Sequence, residues 1–175
     1  QQQKVELVTL IQDAYFIFPN KVDGVRDSID YGFDEDGQID KILGRNLQES
    51  HPDNGNEYIW NNTKPYVVYG FAGVPDGKTL TVNPGARIHF HAESGIIVQE
   101  GGTIIVDGAP SFTDALENEV VFEGDRLEPG FAGTPGQWGA VYLRAGSKDH
   151  SISNLTLKNA TVGIYVQENF GTPLS

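Results

Sequence analysis

Short apolar segments recur in the middle of the chain at a constant spacing. Four triplets begin eight residues apart: Leu80-Thr81-Val82, Ile88-His89-Phe90, Ile96-Ile97-Val98 and Ile104-Ile105-Val106. Each triplet begins and ends with an apolar residue, which is the alternation of a strand with one buried face. Turn residues such as Asn83-Pro84-Gly85 and Gly101-Gly102 separate the triplets. Three strands per coil and about 24 residues per coil predict an all-β fold, a parallel β-helix or solenoid.

The same strand pattern continues after Val106, but at longer intervals. Further apolar strands are predicted at residues 120–122, 141–143, 155–157 and 164–166. Residues 107–119 and 123–139 interrupt the repeat as insertions. Insertions in solenoids commonly emerge on one side, and that side is often the binding face. We therefore expect these two loops to flank a binding surface.

The pattern divides the chain into three parts. Residues 1–19 contain a strand-like run, which is either the last strand of a preceding sandwich-like domain or an N-terminal cap. Residues 20–63 are polar and rich in Gly, Asn and acidic side chains, which predicts an irregular acidic loop region. Residues 64–175 form the β-helix. We expect this helix to be incomplete at its C-terminal end, because an uncapped end exposes apolar core.

Composition excludes some classes of partner and chemistry. The formal net charge of −12 repels phosphate backbones, so a nucleic acid is not an expected partner. The absence of cysteine excludes disulfides and cysteine metal ligands. No apolar run is long enough for a transmembrane segment. The chain also lacks methionine, from which we expect it to be a piece of a longer polypeptide.

Alternation along the strands also predicts which side chains point outward. Ile97 and Tyr142 fall in one outward column, and Tyr165 is assigned to the column of His89. Solenoids seldom leave an apolar column such as Ile97 and Tyr142 bare, so we expect another segment or a partner to cover it. Tyr142 and Tyr165 are also candidates for stacking on sugar rings.

The strand that carries His89 holds two further charged positions. We expect Arg87 to lie beside Glu119, and His91 to lie beside Glu123, because opposite charges on adjacent strands favour that register. His89 and His91 have the His-x-His spacing that a zinc site with Glu123 would use. Surface histidines that pair with glutamate are the simpler interpretation, and no third strong ligand is fixed by the sequence.

One acidic run is a candidate calcium site. Asp34, Asp36, Gly37 and Asp40 supply carboxylate oxygens around a glycine that permits a sharp turn. Glycine and leucine occupy the positions of the first and last ligands of an EF-hand loop, so the match is poor. A solvated acidic loop is the alternative. Calcium is the one cofactor that the sequence allows, and none is firmly indicated.

Asp125 and Arg126 are adjacent on one predicted loop. Both side chains are candidates for contact with a ligand, and an ion pair between them is the simpler interpretation. Polysaccharide lyases and pectinase-like hydrolases share the β-helix fold, and they need paired carboxylates or a base on an exposed face. No carboxylate cluster is visible on a predicted strand.

Several stretches resemble a family of outer-membrane surface lipoproteins of Bacteroidetes that contain a right-handed parallel β-helix. They are Asp13-Ala14-Tyr15-Phe16, Lys78-Thr79-Leu80-Thr81-Val82-Asn83-Pro84-Gly85-Ala86, Gly124-Asp125-Arg126, Gly136-Gln137-Trp138-Gly139 and Asn159-Ala160-Thr161-Val162-Gly163-Ile164. In that family a lipobox and an immunoglobulin-like segment typically precede the helix; the lipobox cysteine is not present here. The resemblance implies a right-handed helix and a location on the extracellular face of the outer membrane, or secretion.

The function expected from these observations is that of a non-catalytic structural or interaction module. It would be part of a longer lipoprotein in a surface protein assembly, with outer-membrane or cell-surface proteins as partners. A carbohydrate-binding module that recognises polysaccharide is the alternative. A polysaccharide lyase or hydrolase is the third, and it rests on fold analogy alone.

Overall fold

A computed structural model describes residue 11, residues 13–19 and residues 44–168. In these ranges the chain is all-β and has no helix, and its strands run parallel within three sheets. This arrangement is compatible with a β-helix or solenoid. The strand-like run predicted at residues 5–11 lies outside the described residues except for Ile11. The candidate calcium ligands Asp34, Asp36 and Asp40 lie outside them as well.

Fourteen strands are formed by the described residues. In chain order they are β1 (Tyr15–Ile17), β2 (Gly44–Asn46), β3 (Ile59–Trp60), β4 (Tyr66–Val68), β5 (Phe71–Val74), β6 (Thr79–Val82), β7 (Arg87–Phe90), β8 (Gly95–Val98), β9 (Thr103–Asp107), β10 (Val120–Gly124), β11 (Trp138–Leu143), β12 (Ser151–Ser153), β13 (Leu155–Leu157) and β14 (Ala160–Val166). The four apolar triplets predicted from the sequence lie in β6, β7, β8 and β9, so those strands are confirmed.

The strands are distributed over the sheets in rotation. Sheet 1 has the order β1-β4-β7-β10-β13, sheet 2 the order β2-β5-β8-β11-β14, and sheet 3 the order β3-β6-β9-β12. Neighbouring strands are therefore never consecutive in the chain. In sheet 3, for example, Leu80 lies opposite Ile104. This register brings like apolar residues together and builds a continuous core between the sheets.

The core contains the side chains that alternation predicted to point inward. Leu80, Ile88, Ile96 and Ile104 are fully buried. Trp138 is also buried, and its ring stacks on Phe90 with the two centroids 4.3 Å apart. Trp138 therefore packs against the core.

Two side chains predicted to be inward are exposed. Ile164 is 39% exposed and Val166 is 69% exposed. Both lie on β14, the edge strand of sheet 2, which pairs with β11 on one side. The prediction of burial is wrong at these two positions, because within the described residues no neighbouring strand covers the other side.

The opposite end of the core is closed by a buried ion pair. The sheet 2 register places Arg45 in line with the core residues Ala72 and Ile96. The two guanidinium nitrogens of Arg45 donate to the two carboxylate oxygens of Glu57, each at 2.6 Å. Arg45 Nε also donates to the Phe18 carbonyl oxygen at 2.7 Å. Arg45 therefore joins β2 both to the residue that follows β1 and to the segment that precedes β3.

Hydrogen bonds keep the Glu57 carboxylate ionised inside the protein. Burial raises the pKa of Glu57, but this effect is outweighed by others that lower it. These are hydrogen bonds donated by the side chains of Arg45 and Asn54, the positive charge of Arg45, and a hydrogen bond from the Gln48 amide, so the pKa of Glu57 lies below its ordinary value. Asn54 Nδ2 also donates to the Phe16 carbonyl oxygen at 2.8 Å. This network fixes the segment between β2 and β3 against β1.

Candidate functional site

The outward residues singled out from the sequence divide between two faces of the molecule. His89, His91, Asp125 and Arg126 lie on or beside the outer face of sheet 1. Ile97, Tyr142 and Tyr165 form a register line across sheet 2, with Ile97 opposite Tyr142 and Tyr142 opposite Tyr165. The predicted adjacency of Ile97 and Tyr142 is confirmed. The assignment of Tyr165 to the column of His89 is wrong.

The reason for that error is a short strand that the sequence pattern did not predict. Strand β12 (Ser-Ile-Ser) is polar and largely exposed, and it occupies sheet 3 beside β9. The following strand, β13, therefore falls in sheet 1, and β14 falls in sheet 2. Every outward residue after β12 moves by one sheet relative to the prediction.

The predicted charge pairing on sheet 1 is also wrong. Arg87 lies opposite Val121 rather than Glu119, and His89 lies opposite Glu123. The shift is two residues, which leaves every side chain on the same face, so alternation cannot detect it. In the observed register Gly124 lies opposite Phe90, and the space that a side chain at position 124 would need is occupied by the side chain of Gln137.

His91 is paired with Asp125 at the end of this face. His91 Nδ1 lies 2.6 Å from Asp125 Oδ2, and the carboxylate is buried whereas the imidazole is half-exposed. The ring of Tyr69 lies 4.7 Å from that of His91, and the ring of Phe18 lies 4.9 Å from that of Tyr69. These four side chains, Phe18, Tyr69, His91 and Asp125, form a row across the sheet that we call the outer row.

His89 lies beside the outer row and is buried. Its Nδ1 is 3.5 Å from Glu123 Oε1 and has no hydrogen-bond partner among the described residues. Burial lowers the pKa of His89, and the neighbouring carboxylate of Glu123 only partly opposes this effect. His89 is therefore neutral at pH 7. Glu123 is also approached by Lys158, whose Nζ lies 3.9 Å away.

Arg126 does not pair with Asp125, so the predicted ion pair between them is wrong. The Nε of Arg126 donates to Glu128 Oε1 at 3.1 Å, and its guanidinium lies 3.7 Å from the centroid of the Phe131 ring. Asp125 faces the other way, toward His91, because consecutive residues leaving a strand point to different sides. Asp125 and Arg126 therefore have different partners, His91 and Glu128.

Two ordered loops flank this outer face, one before β10 and one after it. In loop 108–119, the carbonyl oxygens of Leu116 and Glu119 accept hydrogen bonds from Arg87 at 2.6 and 2.8 Å. In loop 125–137, Asn159 Nδ2 donates to the carbonyl oxygens of Ala132 and Thr134 at 3.0 and 3.1 Å. Side chains from the sheet therefore hold both loops in place.

The outer face of sheet 2 carries a smaller aromatic group. The Tyr142 ring lies 5.5 Å from Phe71 and 5.7 Å from Tyr165, both in tilted geometry. Tyr142 and Tyr165 are partly exposed, whereas Ile97 is buried. Burial raises the pKa of Tyr142, with a smaller contribution from Tyr165. The Tyr142 hydroxyl therefore stays neutral at physiological pH.

The described residues contain neither a metal-binding cluster nor a membrane-spanning helix. Across residues 13–19 and 44–168, no group of three His, Asp or Glu side chains is arranged to hold a metal ion. The two histidines of the His-x-His pattern turn to different carboxylates, Glu123 and Asp125, which accounts for the lack of a zinc site there. No helix capable of spanning a membrane occurs in the described part of the chain.

Comparison with known proteins gives no relative. No protein-family model matches the chain, and neither the curated proteins nor the solved structures include a match.

Proposed function

We propose that this chain is a non-catalytic structural and interaction module of a cell-surface protein assembly. It would belong to a longer lipoprotein on the extracellular face of a bacterial outer membrane, and other outer-membrane or surface proteins would be its partners. The sequence resemblance supports that location. We further propose that the three parallel sheets wind as a right-handed β-helix of about 24 residues per coil, a scaffold whose curved faces commonly bind partners.

The observation that carries this proposal is the composition of the outer face of sheet 1. Its ionisable groups pair with one another: His91 with Asp125, and Arg126 with Glu128. Groups held in this way fix the shape and charge of the surface. A surface that is already ordered loses little conformational entropy when a partner binds.

The stacking in the outer row also favours a protein partner over a sugar on this face. Phe18 and Tyr69 stack on each other, and Tyr69 covers one side of His91. Sugar recognition by aromatic residues uses the open face of a ring, whereas the Tyr69 ring contacts both the Phe18 and the His91 rings. The aromatic rings and the half-exposed imidazole suit the mixed apolar and polar contacts of a protein interface.

Native purification tests the proposal. The parent protein is purified from the membranes of the producing cell in mild detergent, and the retained proteins are quantified by mass spectrometry. We expect a stoichiometric surface protein to be retained, and a His91→Glu/Arg126→Glu variant to lose it. A Lys78→Glu variant, which changes an exposed charge beside sheet 3, serves as the control. A parent protein that elutes alone would contradict the proposal.

A carbohydrate-binding module is the second candidate, and the sheet 2 aromatic group favours it. Tyr142 and Tyr165 are adjacent, partly exposed, and tilted rather than stacked, so part of a ring face stays accessible. A glycan array probed with the full chain tests this function. Specific binding that is lost in Tyr165→Ala, with unchanged thermal stability, would support it; an array without signal would exclude the glycans displayed.

A further inference from the structure

Loop 108–119 displays one aromatic side chain almost completely to solvent. Phe112 is 89% exposed, more than any other large hydrophobic residue in the described chain. Single exposed apolar residues are common on protein surfaces. A phenylalanine this exposed is unusual when the backbone around it is fixed, because a mobile loop would be free to fold the ring against the surface.

The tip of the loop is closed around Phe112 by one carboxylate. Glu117 Oε1 accepts a hydrogen bond from the Phe112 amide at 2.9 Å, and Glu117 Oε2 accepts one from the Thr113 hydroxyl at 2.7 Å. The Thr113 hydroxyl in turn accepts from the Ala115 amide at 3.2 Å. The position of the Phe112 backbone is therefore set by side chains of its own loop.

The base of the loop is fixed as firmly as its tip. The Ser111 hydroxyl accepts hydrogen bonds from the Asn118 and Glu119 amides at 3.0 and 3.1 Å. Arg87 donates from sheet 1 to the Leu116 carbonyl at 2.6 Å. An aromatic residue on a preordered loop loses little further freedom when it is buried by a partner, which is the property of an interface hot spot.

The charge around Phe112 is acidic. Hydrogen bonds from Thr113 and from the backbone lower the pKa of Glu117 to about 2, so its carboxylate is ionised across the physiological range. Asp114, two residues after Phe112, is exposed. With a formal net charge of −12 on the whole chain, this loop is repelled by an anionic membrane and by a second copy of itself. Basic groups on a protein would be attracted.

We propose that Phe112 is the anchor of a protein interface, and that it inserts into an apolar pocket rimmed by Lys or Arg side chains on a partner protein. This inference deepens the proposed interaction function and rests on it. Asp114 and Glu117 face the basic rim. The preordered loop presents the ring at the same position before and after binding.

Photo-crosslinking tests the anchor directly. The phenylalanine analogue p-benzoylphenylalanine replaces Phe112 in the full-length parent protein, which is irradiated in the intact producing cell. A second version carries the analogue at Ile59, an exposed apolar residue on sheet 3. We expect one protein adduct that depends on light and on position 112, with the crosslinked peptide forming an apolar pocket that has basic residues at its edge.

The purified partner then supplies the quantitative test. We expect Phe112→Ala to weaken its binding by about 10- to 100-fold, as for a hot-spot aromatic, and Phe112→Tyr to retain it. Glu117→Ala keeps the ring but releases the loop tip, so it should also weaken binding. Thermal unfolding of Phe112→Ala should match the parent, because the ring is exposed.

Several results would overturn the anchor role. They are the absence of a position-specific adduct, an adduct with lipid, an adduct with a second copy of this chain, or equal binding by Phe112→Ala. A partner retained in native purification whose binding depends on His91 and Arg126 but not on Phe112 would overturn this inference alone. A parent protein that has no partner would overturn the proposed function as well.

Discussion

The buried Arg45–Glu57 pair allows a sharp stability prediction. Arg45 is 3% exposed and Glu57 is 1% exposed, and two hydrogen bonds of 2.6 Å join them. The substitution Glu57→Gln keeps the shape of the side chain but removes its charge. Arg45 then remains charged and buried with the Phe18 and Asn46 carbonyl oxygens as its other acceptors.

The expected cost follows from the burial of the remaining charge. Removing one partner of a buried pair destabilises proteins by about 3–5 kcal/mol, because the other charge is left uncompensated. This is a large part of the total free energy of unfolding of a typical domain, about 5–15 kcal/mol. We therefore expect Glu57→Gln to be folded but to unfold at a clearly lower urea concentration at pH 7.

A double substitution separates the charge effect from loss of packing. In Arg45→Met/Glu57→Leu both charges are gone and apolar volume remains, so the double variant should be more stable than Arg45→Met or Glu57→Leu alone. Urea unfolding of the four proteins gives the coupling energy. A cost below about 1 kcal/mol for Glu57→Gln, or a double variant less stable than both singles, would refute the reasoning.

The pH dependence of stability gives an independent check on this pair. The folded pKa of Glu57 lies below its unfolded value, so the stabilising contribution is fully present above about pH 4.3, the unfolded pKa of a glutamate. It is lost as the pH falls through the folded pKa. Between pH 7 and pH 3 the parent should therefore lose more stability than Glu57→Gln.

Two further predictions concern sheet 1 and sheet 2. Burial lowers the folded pKa of His89, so the neutral imidazole stabilises the fold above about pH 6.5, and this stability is lost as the pH falls through the folded pKa. In His89→Gln the free energy of unfolding should therefore change less between pH 7 and pH 5 than in the parent. An unchanged slope of this free energy against pH would contradict the prediction. A Cβ on Gly95 would collide with the Ala140 carbonyl oxygen and lie 2.7 Å from Phe71 Cε1. Gly95→Ala should therefore lower the free energy of unfolding of the protein by about 1–3 kcal/mol. Gly133→Ala, at an exposed position, is the control in the same unfolding measurement.

The apolar spacing predicted the central strands because their buried positions are occupied by apolar residues at regular intervals in the sequence. Triplets such as Leu80-Thr81-Val82 alternate, and each lies in a strand whose inward residues are fully buried. Strand β12 shows no such pattern, because Ser151 and Ser153 are polar and the strand is exposed. Its omission displaced the assignment of Tyr165, although the alternation within β14 was read correctly.

Register and ion pairs were less accessible from the sequence. Alternation cannot distinguish registers that differ by two residues, because both registers leave every side chain on the same face. Arg45 and Glu57 lie in a polar, acidic segment in which charged residues are usually solvated. Their burial depends on β1, which is distant in the chain and supplies the Phe18 carbonyl.

The outer row was found only in part. His91 and Asp125 were candidates, but their pairing with each other was not foreseen because the register was displaced. Tyr69 could have been found from the sequence, because it follows β4 at an outward position and aligns with His91, each one residue beyond the paired strands β4 and β7. An aromatic residue at an outward position of a predicted solenoid is therefore worth aligning with its neighbours in the same sheet.

Hydroxyl-radical footprinting tests whether the outer row is an interaction surface. The parent protein is oxidised in the intact envelope of the producing cell and again after purification, and the oxidation of each side chain is compared by mass spectrometry. We predict that Phe18, Tyr69 and His91 are oxidised less in the envelope than after purification. The exposed control Ile59 on sheet 3 should be oxidised equally in the two samples. Equal oxidation of the outer row in both samples would contradict its role as an interaction surface.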